Sequence, residues 1–275
     1  EYGYQRNDRY YQPWFALMKA ILWIYVWFGL FYTVVTRALQ YSEEFDRKEP
    51  AFLVKKTLRL LFFHEKFSYG PNEKIIVLGF LVKFFFIPVM SVFFHDQFTH
   101  LVNNMKYISF LLQNGFQENY NLRLAATDIY NVSFSFIFSI DVGLAWCGYV
   151  ISSRWIKNSN VSVEPSILGW TVALICYPPF QRVMGFYLSI PSEQGFFSLP
   201  NDYAVLTFAL FSLMGYVVYM SATVVFGLRF SNLTHRGIIQ TGPYSIIRHP
   251  AYAAKNFAWW CVMAPNVLYQ TYTQS

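Results

Sequence analysis

Five stretches of this chain are apolar for long enough to cross a lipid bilayer, and that limits its possible folds more than any other feature. A helix needs about 20 mostly apolar residues to cross hydrocarbon. Pro13 to Thr36, Ile75 to Phe94, Ile129 to Ile151, Ser166 to Leu188 and Tyr203 to Leu228 each reach that length. Within lipid every backbone N–H and C=O needs an internal partner, so these stretches are expected as helices. Composition agrees: 55% of residues are apolar, 21% aromatic and only 13% charged, against about 25% charged in soluble domains. A sixth apolar run, Phe257 to Tyr269, is shorter and carries Pro265. Alone it cannot span, so it is expected as half of a re-entrant hairpin or as a truncated helix. The expected fold class is all-α: a polytopic transmembrane helix bundle of five spans plus a C-terminal helix hairpin.

The distribution of charge sets an orientation. Of 21 Lys and Arg residues, 14 lie in the loops that follow the first, third and fifth spans, with eight in 37–74, two in 152–165 and four in 229–256. Cytoplasmic loops carry the excess of Lys and Arg, so the N-terminus is expected outside and these three loops inside. The net charge of +6 is thereby a topology signal spread over connections, and no nucleic-acid partner is expected from it. Cys147, Cys176 and Cys261 lie in or beside apolar runs without CxxC spacing, which reads as small buried hydrophobes, with no disulfide framework and no metal site. Residues 1–12 are polar and tyrosine-rich and the first apolar run is too long for a signal-peptide core, so that run is expected to remain as a span.

Several features inside this frame call for physical reasons. In FLVKKTLRLLFF, residues 52–63, Lys55, Lys56 and Arg59 recur at helical spacing opposite Val54, Leu58, Leu61 and Phe62. That suits a helix lying on an anionic leaflet, and equally a plain connecting helix. The loop expected over 95–128 holds His95, Asp96 and His100, and two histidines five apart share a helix face poorly, so it reads as a solvated loop. Pro178 and Pro179 must kink or end the fourth span, which predicts a packed or cavity-lining location. Asp141 lies within the third span, where an acidic group is costly; a hydroxyl or Arg on a neighbouring helix is the expected partner, and a substrate role the alternative.

The most informative stretch is TGPYSIIRHPAYAAKN, residues 241–256. Gly237 and Gly242 permit tight turns and close approach of the backbone to a ligand, and Pro243 restricts the chain before Tyr244. Pro250 pushes His249 toward an extended conformation and suits the first turn of a new helix. Helix N-termini favour anions, and Arg248, His249 and Lys255 lie beside this one. Tyr244 and Tyr252 add aromatic faces and hydroxyls. A ligand with a carboxylate, an aromatic base and a positive centre would match; a positive-inside anchor with interfacial tyrosines is the plainer reading.

The order of residues adds to this. FGLRFSNLTHRGIIQTGPYSIIRHPAYAAKN resembles the membrane methyltransferases typified by isoprenylcysteine carboxyl methyltransferase and its bacterial relatives. Those proteins carry a G-x-Y element followed by R-H-P-x-Y after a transmembrane helix. Gly242, Tyr244, Arg248, His249, Pro250 and Tyr252 stand at the matching positions. The resemblance covers roughly residues 226–260; SVEPSILGWTVALICYPPF, residues 162–180, also looks like a stretch in some bacterial members. It implies an S-adenosylmethionine site open to the cytoplasm and a lipophilic substrate arriving from the bilayer, in a multi-pass protein of a bacterial inner membrane. Backbone contacts to that cofactor would come from Arg236, Gly237, Ile238 and Ile239. The cofactor carboxylate and adenine would lie near Gly242, Tyr244, His249, Pro250 and Tyr252. Arg248 is the residue assigned to catalysis, orienting an anionic or polar substrate group, with a structural ion pair as the alternative. The domain organisation so implied is a transmembrane bundle over 1–228, including the interfacial loop 37–74, and a cofactor motif with a partial hairpin over 229–275.

The same family completes its pocket with a Glu-Glu pair after the hairpin, whereas the adjacent glutamates here, Glu43 and Glu44, stand in the first basic loop. The encoded chain is therefore expected to continue past Ser275. Two other readings remain. Sterol reductases that use NADPH have a comparable late motif, but with Asn where Ala251 stands, and no GxGxxG fingerprint occurs here. A noncatalytic membrane subunit that retains the fold is the other.

Overall fold

The computed structural model describes residues 8–29, 31, 34, 35, 70–116, 119–151, 158–181 and 195–274. The amphipathic stretch 52–63, and with it most of loop 37–74, lies outside the described residues. Among the described residues three helices are long and apolar enough to cross a membrane: Glu73–Asn114, Leu122–Val150 and Asp202–Arg229. They belong to the second, third and fifth expected spans.

The first apolar run forms α1, Asp8–Ile24, which continues as a π-helical turn over Tyr25–Gly29. It lies against the following helix through Trp14, whose ring meets Phe94 edge-on at 5.7 Å and His95 at 5.4 Å.

Helix α2, Pro71–Asn114, is opened by Pro71 in its first turn and by the Glu73 carboxylate, which accepts the Gly70 N–H at 3.0 Å. Its 44 residues correct the expected boundary at Phe94. His95, Asp96 and His100 are helical, and no loop begins at 95. Burial explains this, because the helix stays packed through the polar residues: Val82, Phe86 and Met90 are enclosed along one face, and His95 and Thr99 on another, with His95 against Trp14 of α1. Packing on two sides overrides their loop-like composition. His95 is buried while His100, five residues on, is exposed. Pro88 is accommodated inside the helix.

Helix α3, Leu122–Val150, is capped by Asn121, whose side chain accepts the Leu124 N–H at 3.0 Å. It runs antiparallel to α2. Asn104 donates to the Ser135 hydroxyl at 2.8 Å near one end, and the Trp146 indole donates to Ser91 at 2.8 Å near the other. Between α2 and α3 Phe86 stacks on Tyr149 at 5.2 Å, both rings fully enclosed.

The fourth expected span departs most from expectation. After a two-residue strand β1, Ser162–Val163, regular helix α4 covers only Ile167–Leu174. Ser166 caps it by accepting the Gly169 N–H, and Glu164 in turn accepts the Ser166 N–H and hydroxyl. That pair of bonds holds the Glu164 carboxyl below the ordinary glutamate range. Turns follow from Ile175 to Phe180, so the helix ends four residues ahead of Pro178. Helix α4 fully buries none of its residues, but Trp170 packs half-buried against the core between α2 and α3, and Tyr177 beyond it lies edge-on to Phe86 at 5.1 Å; residues 182–188 of the expected span lie outside the described residues. Cys176 is exposed, unlike the half-buried Cys147 and Cys261.

Helix α5, Asp202–Phe226, is capped by the Asn201 side chain, which accepts from Tyr203 and Ala204. It runs parallel to α3, since Arg123 binds Asp202 at one end while Asp141 binds Thr223 toward the other. The chain therefore passes from one end of the bundle to the other between Val163, beside the end of α3, and the 3-10 turn Gly195–Ser198, beside its start. Arg123 holds that return in place: its guanidinium donates to the Phe197 and Leu199 carbonyls at 2.9 and 2.6 Å as well as to Asp202.

The sixth apolar run lies within one continuous helix, α6, Pro250–Gln274. It gains length from polar residues on both flanks of the apolar run, and Pro265 does not break it. It lies antiparallel along α5, with Ala254 and Ala258 facing Gly215, and Asn266 accepting from Ser198 at the far end. Among the described residues the fold is helical apart from one antiparallel pair, β1 with β2, Thr234–His235, in register Ser162 to His235 and Val163 to Thr234. These two-residue strands modify the all-α expectation only locally, where two loops meet and pair their backbones.

Gly215 sets the spacing of α5 and α6. A Cβ there would meet the Ala258 Cβ at 3.0 Å and the Ala254 carbonyl at 3.1 Å. Small residues permit this close approach of membrane helices. Gly215→Val is expected to destabilise the protein by about 1–3 kcal/mol through overpacking, read as a lower midpoint in thermal unfolding in detergent.

Candidate functional site

The start of α2, the end of α3, the end of α5 and the start of α6 all lie at one end of the bundle. Between α5 and α6 the chain runs for 23 residues, 227–249, without regular helix except two 3-10 turns, Gly227–Arg229 and Gly242–Ser245. Such backbone at the edge of a membrane bundle needs partners for its carbonyls and amides. Much of that partnering comes from one side chain.

Arg236 is only 5% exposed. Its guanidinium donates to the Gly148 carbonyl at 2.5 Å, near the end of α3, to the Asn160 side chain at 3.1 Å, and at longer range to the Leu228 and Phe230 carbonyls. Burial draws its pKa below the ordinary arginine value while the nearby Tyr149 opposes that shift; an arginine nevertheless keeps its proton. Gly148 is required here, since a Cβ would come within 2.7 Å of the Phe230 carbonyl. Tyr149 and Tyr177 add to the same hold: the Asn232 N–H donates to the Tyr149 hydroxyl at 2.6 Å, and its side-chain amide to the Tyr177 hydroxyl at 2.7 Å. Asn158, almost fully buried, donates to the Ile151 carbonyl at 2.6 Å. The pairing of β1 with β2 closes the arrangement.

Beyond Arg236 the chain opens. Gly237 and Gly242 adopt φ of 105° and 60°, the left-handed region, so both glycine turns expected from sequence are present. Ile238 is 75% exposed, and Ile239 is half-buried. Tyr244 leans on Phe226 at 5.7 Å. Burial raises its pKa, with Tyr252 adding to the rise, so the phenol stays a neutral donor. Arg248 and His249 are exposed, Pro250 is buried at the first turn of α6 as expected, and the rings of His249 and Tyr252 meet at 6.1 Å. Tyr244, His249 and Tyr252 thus converge at the start of α6, whereas the Arg236 side chain points away from them into the bundle. From Arg236 to Ile239 the backbone remains available as a ligand contact; the Arg236 side chain is structural.

Deeper between the helices lies a polar group whose partners match expectation. Asp141 of α3 accepts from the Tyr219 hydroxyl at 2.7 Å and from Thr223 at 2.9 Å, both on α5. The expected hydroxyl partners are thus present. Near it lies Lys255, which composition places beside the helix N-terminus but which in fact turns inward. Its ammonium sits over the rings of Phe138, Tyr219 and Trp259 at 5.6, 5.3 and 5.2 Å. The Trp259 contact is a spacing of four along one helix and so a local signal; the other two rings come from distant segments.

Comparison with models of known families, with curated proteins and with solved structures gives no match.

Replacing Arg236 by Met leaves the Gly148 carbonyl without its charged donor, a loss of about 2–4 kcal/mol for a buried, charge-assisted network. The expected outcome is faster hydrogen exchange of backbone amides across 229–240, with exchange in the middle of α2 unchanged.

Proposed function

We propose that this chain is an integral-membrane methyltransferase that uses S-adenosylmethionine and acts on a lipophilic acceptor bearing a thiol, carboxylate or amine. The observation that carries the reading is the shaped segment between two antiparallel membrane helices, which brings Gly242, Tyr244, Arg248, His249 and Tyr252 together around the start of α6. Their order is that of the membrane methyltransferases this stretch resembles.

The groups present fit such a cofactor. A carboxylate approaching the start of α6 meets the imidazole and guanidinium of His249 and Arg248, both exposed. Two glycines at positive φ expose backbone N–H groups that side chains would otherwise shield. Tyr252, 70% exposed, offers a face on which a purine can stack. When bound, the cofactor supplies a methyl group already attached to a good leaving group, so the protein is left with positioning and exclusion of water. Arg248 holds an anionic or polar group of the acceptor in line, and the flanking Ile238, Ile246 and Ile247, all exposed, present an apolar path to a lipophilic molecule. In this reading the basic loops, all at the motif end, face the cytoplasm of a bacterial inner membrane and the N-terminus lies outside.

Isothermal titration of the purified protein in detergent tests the proposal. Saturable heat with S-adenosylmethionine and none with NADPH is the expected result. His249→Ala is expected to weaken that binding by about tenfold or more, as loss of a charge-assisted contact does. Silence with S-adenosylmethionine, or unchanged affinity in the variant, removes the cofactor or removes His249 from the site.

A further inference from the structure

The first turns of α6 carry His249 and Tyr252, yet what they turn inward is mostly small. Pro250, Ala254 and Ala258 are buried and Ala251 and Lys255 half-buried, whereas Tyr252, Phe257 and Trp260 are exposed. Alanine methyl groups facing Gly215 let α6 approach α5 closely. Such groups fit against a helix in several rotations, so they set the spacing of the two helices but specify the rotation of α6 only weakly. Of the inward-facing residues in these turns, Lys255 alone has a long side chain.

Lys255 supplies the reach that alanine lacks. Its ammonium lies over Trp259, one turn further along α6, and over Tyr219 of α5 and Phe138 of α3, at 5.2, 5.3 and 5.6 Å. Each ring face attracts the cation, and the Asp141 carboxylate lies within electrostatic reach. One side chain thus joins α6 to both α3 and α5. Asp141 also orients one of the rings, since it accepts the Tyr219 hydroxyl at 2.7 Å. The nearby hydrogen bond from the Ser212 hydroxyl to the Ala258 carbonyl, at 3.3 Å, ties α6 to α5 only.

His249 and Tyr252 move with this part of the helix. The His249 carbonyl accepts the Ala253 N–H at 3.1 Å, which joins His249 to the first turn. Tyr252 stands three residues before Lys255 and so on the same side of α6. Tyr244 is held separately, against Phe226 at the end of α5. A rotation or slide of α6 therefore carries the first two rings away from the third. We propose that Lys255 is a positioning residue for the S-adenosylmethionine site: by holding α6 to α3 and α5 it keeps His249 and Tyr252 beside Tyr244. The proposal rests on the methyl-transfer reading, and Lys255 acts through those two residues.

Two measurements on the full chain in detergent test it. In Lys255→Ala, amides over 253–258 are expected to exchange hydrogen about tenfold faster, with those over 266–272 and in the middle of α2 unchanged. Isothermal titration of the same variant should show S-adenosylmethionine bound about tenfold more weakly. Lys255→Arg, which keeps both the stem and the charge, is expected to match the unaltered chain in both measurements. Trp259→Leu removes one ring and should weaken binding in the same direction; combined with Lys255→Ala it should add nothing, because the two act through one contact. Unchanged exchange and affinity in Lys255→Ala, an arginine variant as impaired as the alanine one, or independent effects of the Lys255 and Trp259 changes overturn the assignment. Should Lys255→Ala fail to fold, the arginine and Trp259 variants decide. Absence of heat with the unaltered chain removes the methyl-transfer reading and the cofactor with it, while the exchange rates still decide whether Lys255 sets the start of α6.

Discussion

A membrane bundle can tolerate a long irregular segment only if its backbone finds partners, and here one guanidinium supplies much of that need. Arg236 ties the end of α3 at Gly148 to the carbonyls that follow α5 and to Asn160 in the preceding loop. Because Gly148 lacks a side chain, the irregular segment lies directly on the helix. The position of everything beyond it, from the Gly237 turn to the first turn of α6, follows from that attachment. A buried charge of this kind is costly to leave unpaired, so its five-donor fork specifies one arrangement of the loop over others.

The second constraint is electrostatic and lies within the helices. Asp141 draws Tyr219 and Thr223 of α5 to one carboxylate and so fixes the rotation of α5 against α3. Tyr219 is also one wall of the aromatic enclosure around Lys255. The same tyrosine thereby serves a hydrogen bond to an acid and a face to a cation. Helix rotation and the charge on α6 are coupled through it.

Parts of this were readable from local sequence because glycine and proline act locally. The turns at Gly237 and Gly242 and the helix start at Pro250 stand where backbone freedom and its restriction place them. The need of Asp141 for hydroxyl partners was legible in kind, since lipid offers none. The extent of α2 was not legible, because His95, Asp96 and His100 look like a solvated loop until His95 is seen against Trp14 and Thr99 enclosed one turn on. Nor was the end of α4 ahead of Pro178, or the 25-residue helix that α6 forms around a shorter apolar run. For Arg236 and Lys255, residue type predicted a charge at the membrane edge. The direction each side chain takes depends on segments more than 80 residues away in sequence, Gly148 for one and Phe138 for the other.

The length of α2 joins regions that are otherwise separate. At 1.5 Å per residue its 44 residues measure about 66 Å, roughly twice the hydrocarbon thickness of a bilayer. Near its start, Gly79 touches the Asn160 side chain that also binds Arg236. Its other end lies around Asn114. One helix thus ties the polar clamp that Arg236 holds at one end of the bundle to the turn before Leu122 at the other, over a length that no hydrocarbon core fills.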